Sequence, residues 1–124
     1  MAEDLKRYIF RLMSKVDGLY GIAITDRDGV PVLKVSNENA PELALRPGFL
    51  VTFSMAADQG SKMGLGKNQR IVCMYSAYQV VHFNKAPLMV TLVANSTANT
   101  GMILSLEDEL TDALQDLRQA VDVA

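Results

Sequence analysis

A chain of 124 residues makes one domain, and its twelve basic and fourteen acidic side chains leave a formal net charge of −2, without the basic excess that holds nucleic acid. One cysteine, Cys73, excludes an internal disulfide and fits a reducing compartment. The longest largely apolar run, residues 88–94, is far short of the ~20 residues that a membrane-spanning helix needs.

The first helix is read from the stripe Leu5, Tyr8, Ile9, Leu12, Met13 and Val16, with Lys6, Arg7, Arg11 and Lys15 off it. Asp17-Gly18 ends that helix. Residues 19–25 form a strand with Tyr20, Ile22 and Ile24 on one face. Asp26-Arg27-Asp28-Gly29 is a hairpin turn, and residues 30–36 return. Pro31 lacks a donor N–H, which places this returning strand at a sheet edge. Residues 37–47 are a polar loop. A second helix starts near Pro47, where proline suits a first turn, and Gly64 and Gly66 are expected to end it. Strands at 69–75, 78–84 and 87–95 follow. Their short connections, Ser76-Ala77 and Lys85-Ala86, imply an antiparallel meander. The last helix has Ile103, Leu106, Leu110, Ala113, Leu114, Leu117 and Val121 within one arc. The order is helix-strand-strand-helix-strand-strand-strand-helix, an antiparallel α+β sandwich.

Two features set this pattern apart. The first and last helices have wet faces, whereas the middle helix has almost none. At 3.6 residues per turn, Phe49, Phe53, Ala56, Ala57, Gly60 and Met63 fall on one broad apolar arc, with Leu50 and Gly64 at its border. Val51, Met55 and Leu65 lie on the opposite side, around Asp58 and Lys62. A helix covering one sheet needs one apolar face, so a second face points to cover by another protein. The third strand, Arg70-Ile71-Val72-Cys73-Met74-Tyr75, has neither a proline nor an inward charge. At an edge it would be an unblunted template for a partner's strand.

Catalytic and metal-binding signatures fail on spacing. Asp26-x-Asp28-Gly29 begins like a calcium loop, but Pro31 and Asn37 stand where that loop needs glycine and glutamate. Residues 60–67 are glycine-rich, yet they close a helix and precede a strand, the reverse of a phosphate-binding loop. His82 is the one histidine and has no orienting acid at a recognisable spacing; it reads as a structural or surface residue. Cys73 reads as a packed strand residue. No metal cluster and no cofactor are expected. Asn95-Ser96-Thr97 is a glycosylation sequon that goes unused without a secretory signal. The start Met1-Ala2-Glu3-Asp4 is charged and lacks a signal-peptide core and the myristoylation glycine, and the chain's end is no prenylation box. Work at a membrane is therefore expected to need another molecule that holds the chain there. Asp108, Asp112 and Asp116 stand one turn apart, a solvated face or a docking surface for a basic partner.

Several segments carry a resemblance. Asp26-Arg27-Asp28-Gly29-Val30-Pro31-Val32, Ala44-Leu45-Arg46-Pro47-Gly48-Phe49, Asp58-Gln59-Gly60-Ser61-Lys62, Tyr78-Gln79-Val80-Val81 and Ala98-Asn99-Thr100-Gly101 are together similar to the roadblock family. Within it they resemble the MEK-partner scaffold subunits of Ragulator, the late endosomal and lysosomal adaptor complex. The likeness spans nearly the whole chain and includes loops as well as core positions. Departures are mostly swaps such as Ala86-Pro87-Leu88-Met89.

The resemblance implies a single roadblock-type domain over residues 1–124, a three-layer α/β/α sandwich around a five-stranded antiparallel sheet of order 2-1-5-4-3. It implies a non-catalytic scaffold that forms a heterodimer with another roadblock subunit by joining third strands and packing second helices. Further implied partners are a lipid-anchored Ragulator subunit, Rag GTPases acting toward the TOR kinase, and the kinases MEK and ERK, on the cytoplasmic face of late endosomes and lysosomes. The dimer interface is expected at Val51, Ser54, Met55, Asp58 and Leu65 on the helix, with the helix's broad apolar arc as the alternative face, and at Arg70, Ile71, Val72, Cys73, Met74 and Tyr75 along the strand. A roadblock-type dynein light chain, or a GTPase-regulating subunit using Arg27, Arg46 or Arg70, is the alternative reading.

Overall fold

The computed structural model describes residues 2–115 and 117. Helix α1 (Ala2–Ser14) leads into strand β1 (Leu19–Thr25) through Gly18, whose φ of 86° suits glycine. The hairpin to β2 (Pro31–Ser36) closes on Asp26, whose Oδ1 accepts the N–H groups of Asp28 and Val30 at 2.9 and 3.0 Å. Next come α2 (Pro47–Gly60), then β3 (Arg70–Met74), β4 (Tyr78–Lys85) and β5 (Leu88–Asn95). Two short helices, α3 (Thr100–Leu104) and α4 (Glu107–Ala113), follow.

All pairings are antiparallel, in the order β2-β1-β5-β4-β3. The sheet is covered on both faces. On one, Ile9, Leu12 and Met13 of α1 and Ile103, Leu106, Leu110 and Leu114 of the C-terminal helices bury against Ile22, Ile24, Val81, Phe83, Val90 and Leu92. On the other, Leu50 and Phe53 of α2 join Ala44, Leu45, Ala23, Val80 and Val93. Each fully buried Leu or Phe of this kind contributes about 1.5–3 kcal/mol. Central strands β4 and β5 are buried on both sides, while β2 and β3 are half exposed.

Four expectations need correction. Helix α2 ends at Gly60, a turn before Gly64 and Gly66. Ser61 closes it: its hydroxyl donates to Ala57 O and accepts from Asn68 N, both at 2.8 Å. A side chain beyond the helix therefore sets the end, and the two positive-φ glycines shape the loop that follows. The last helix is interrupted at Ser105-Leu106, although Ile103, Leu106, Leu110 and Leu114 keep one buried arc; Val121 lies outside the described residues. The 37–47 loop contains a 3-10 turn, Glu42–Leu45, that brings Ala44 and Leu45 under α2. Nor are the outer faces of the flanking helices purely polar, since Phe10 is 49% and Met102 45% exposed.

Candidate functional site

The β3 edge has no neighbour beyond it in the sheet. Tyr75 N donates to Tyr78 O at 2.8 Å, and Asn84 N to Gln69 O at 2.9 Å. With the register Ile71↔His82 and Cys73↔Val80 between them, the alternation of an antiparallel ladder turns Gln69, Ile71, Cys73 and Tyr75 toward β4. The N–H and C=O groups of Arg70, Val72 and Met74 therefore point to open space. The side chains alternate as well. Ile71 and Cys73 pack into the α2 layer, whereas Val72, Met74 and the adjoining Tyr75 are 42%, 59% and 51% exposed.

The one charge on this strand is drawn away from the edge. Arg70 Nε donates to Glu107 Oε1 at 2.5 Å, and Lys85 Nζ to Glu107 Oε2 at 2.6 Å. Burial pushes the Glu107 carboxyl up, but hydrogen bonds and charges from Lys85 and Arg70 outweigh it and leave the pKa below its ordinary value. The ionised carboxylate thus holds Arg70 over the sheet, and Val72 and Met74 dominate the margin. Nothing in the local chemistry of Glu107 marks it in the sequence. Its signal lay in position: it shares the buried arc of Ile103 and Leu110.

Beside the edge lies α2, covered on one side only. Leu50, Phe53, Ser54 and Ala57 are its buried residues. The buried face is thus rotated from the expected arc, with Ala56 exposed and Met63, in the loop, 71% exposed. Ser54, at 5% exposure, is covered by its own domain and leaves the partner-facing set. Leu65 lies past the helix, in the loop, at 87% exposure. Met55 is 63% exposed and Asp58 is also open to solvent. Val51 is half-buried, because the β1–β2 hairpin packs on it. A Cβ added to Gly29 would lie 2.6 Å from Pro47 O and 3.0 Å from Val51 Cβ, so only glycine permits this approach.

Beneath α2 sits His82, fully buried. It stacks on Phe53 with ring centroids 5.6 Å apart, and its Nδ1 lies 3.1 Å from Thr91 Oγ1. Burial lowers its pKa to about 4, so the imidazole is a neutral packing element near pH 7. An apolar cavity of about 320 Å³ opens where Tyr75 leaves β3, lined by Pro41, Ala44, Phe49, Tyr78, Val80 and Val93 as well. The cavity thus continues the β3 edge at Tyr75 and reaches α2 at Phe49.

The remaining candidates stay apart from it. Asp108 and Asp112 are exposed on α4; Asp116 lies outside the described residues. Asp26 builds the hairpin, and residues 61–67 follow the helix end. Asn95 is engaged locally, donating to Tyr20 Oη and accepting from Thr97. Among the described residues no group of three His, Cys, Asp or Glu is placed to hold a metal ion.

Strand order, layers and helix placement define a roadblock-type domain. The Roadblock/LC7 domain from Streptomyces avermitilis superposes with a TM-score of 0.72 at 12% identity, over 87% of this chain and 92% of that one, a likeness of fold alone. Residues 3–121 match the family described as mitogen-activated protein kinase kinase 1 interacting, and the chain belongs to that family. It is similar to proteins named Ragulator complex protein LAMTOR3, at 59% identity in Gallus gallus and 58% in Homo sapiens, each over all of both chains.

Proposed function

We propose that this chain is a non-catalytic scaffold subunit of Ragulator that works as half of a heterodimer. Its β3 edge pairs with the same edge of a second roadblock subunit, and the Met55–Asp58 side of α2 packs against that partner's helix. The observation that supports this most is the open edge at Arg70, Val72 and Met74, whose exposed side chains are apolar and whose charge is held by Glu107. An unguarded apolar margin is a hazard in a solitary protein and an asset in a paired one.

In this reading a lipid-anchored subunit holds the assembly on the cytoplasmic face of late endosomes and lysosomes. There it supports Rag GTPase recruitment, hence TOR signalling, and brings MEK and ERK together. Tethering acts by raising effective concentration, on the order of millimolar for short links. Affinity isolation of the tagged chain from cells, followed by mass spectrometry, tests the proposal. It predicts endosomal roadblock subunits and a lipid-anchored subunit in the isolate. Recovery of dynein intermediate chain in their place would assign the chain to a motor. A GTP hydrolysis assay with the isolated chain is expected to show an unchanged rate; acceleration would contradict the non-catalytic assignment.

A further inference from the structure

The sheet has a second margin, on β2, far from the surface just described. Asn37 N donates to Tyr20 O at 2.9 Å, and the register Gly21↔Ser36, Ile22↔Val35, Ala23↔Lys34 continues from there. By the same alternation, Val35 bonds to β1 while Lys34 and Ser36 direct their N–H and C=O groups outward. Helix α1 runs beside this margin. Glu3, Lys6, Arg7 and Phe10 share one helix face and, with Lys34, Val35 and Ser36, line an open groove of about 390 Å³. Phe10 is half exposed over it. Lys6, Arg7 and Lys34 make no ion pair among the described residues. Three cations against Glu3 alone leave the groove basic.

From this geometry we infer that the α1–β2 groove docks an extended acidic peptide segment of a partner protein as an added strand on β2. An edge strand flanked by a helix supplies both needs of such binding: unpaired backbone groups, and side-chain subsites on alternating positions. One set of peptide side chains would lie under Phe10 and Val35, between Lys6 and Arg7. The other set would lie beside Lys34, which shares the opposite face with Ala23. The charges also select the occupant. Lys34 repels a second copy of this strand, whereas an acidic segment neutralises all three cations.

The test uses the full chain with three fluorescent octapeptides: alternating Glu and Val, alternating Lys and Val, and alternating Glu and Pro, in which every second residue lacks its backbone donor. The Glu-Val peptide is expected to bind saturably and to shift the amide resonances of Lys34 and Ser36. The other two should bind at least about tenfold more weakly. The double variant Lys6→Glu, Lys34→Glu should reduce Glu-Val binding by about tenfold or more, and Phe10→Ala by a smaller factor. All three positions are exposed, so these variants should fold, which circular dichroism checks. Absence of Glu-Val binding, equal binding of the Glu-Val and Lys-Val peptides, or shifts at Val72 and Met74 instead would overturn the inference. Phosphatidylserine vesicles that bind the chain but not the double variant, without peptide binding, would also overturn it in favour of a membrane surface.

Discussion

The two margins of the sheet face the same hazard and are built differently. On β2, Pro31 removes a donor, Lys34 places a charge at the edge, and Val32 remains 42% exposed. On β3 there is no proline, the arginine is tied to Glu107, and Val72 and Met74 stand open. The fold thus guards its two margins unequally: β2 carries a proline and a lysine, and β3 leaves apolar side chains open.

The largest effect should come from charging the apolar margin. Val72→Asp would bury an unpaired carboxylate or force the paired edges apart, at a cost of about 3–5 kcal/mol. Sedimentation with the roadblock partner should then show two separate species, whereas retention of the complex would remove the β3 edge from the interface.

His82 comes next. The folded chain holds it at a pKa of about 4, while the unfolded chain protonates it near the ordinary 6.5. Its contribution is therefore complete above pH 6.5 and is lost as the pH falls toward 4, by up to roughly 3 kcal/mol. Urea unfolding from pH 7 to 4.5 should show this decline, and His82→Gln should flatten it. Because His82 stacks on Phe53, the same decline should loosen α2.

A third change acts on the helix from the guarded side. Gly29→Ala would strain a φ of 81° and push the hairpin off Pro47 and Val51, costing about 2 kcal/mol in thermal or urea melts. Pairing through α2 should weaken with it, which links the two margins mechanically. The smallest expected effect is that of Glu107→Gln. The weakened bonds to Lys85 and half-exposed Arg70 should cost about 1 kcal/mol and let Arg70 swing toward the β3 edge. Since the Glu107 pKa is lowered on folding, that contribution is present above the usual carboxylate range and is lost as acid titrates through the folded value. The variant should lack this part of the acid response.

Much of this contrast was legible in the residues. Pro31 marked one margin, and the uncharged apolar run after Arg70 marked the other. Element order and the Pro31 edge follow from such local chemistry, whereas the edge position of the third strand follows from the family resemblance. Contacts across the chain were not legible. The end of α2 depends on Asn68 meeting Ser61, a contact across the following loop, whereas Gly64 and Gly66 are local stop signals. The orientation of α2 shows in the burial of Ser54, a small polar residue expected on the partner-facing side. Glu107 hid among acidic neighbours, because its partners Arg70 and Lys85 lie far away in sequence. The exposed Phe10 likewise gains meaning only beside β2.

Hydrogen exchange at the amides of Val72 and Met74, read in the isolated chain and again with its roadblock partner, is the most direct measurement. Fast exchange alone and strong protection in the complex are predicted. Amides already protected in the isolated chain, or still fast within a stable complex, would contradict the open-edge account.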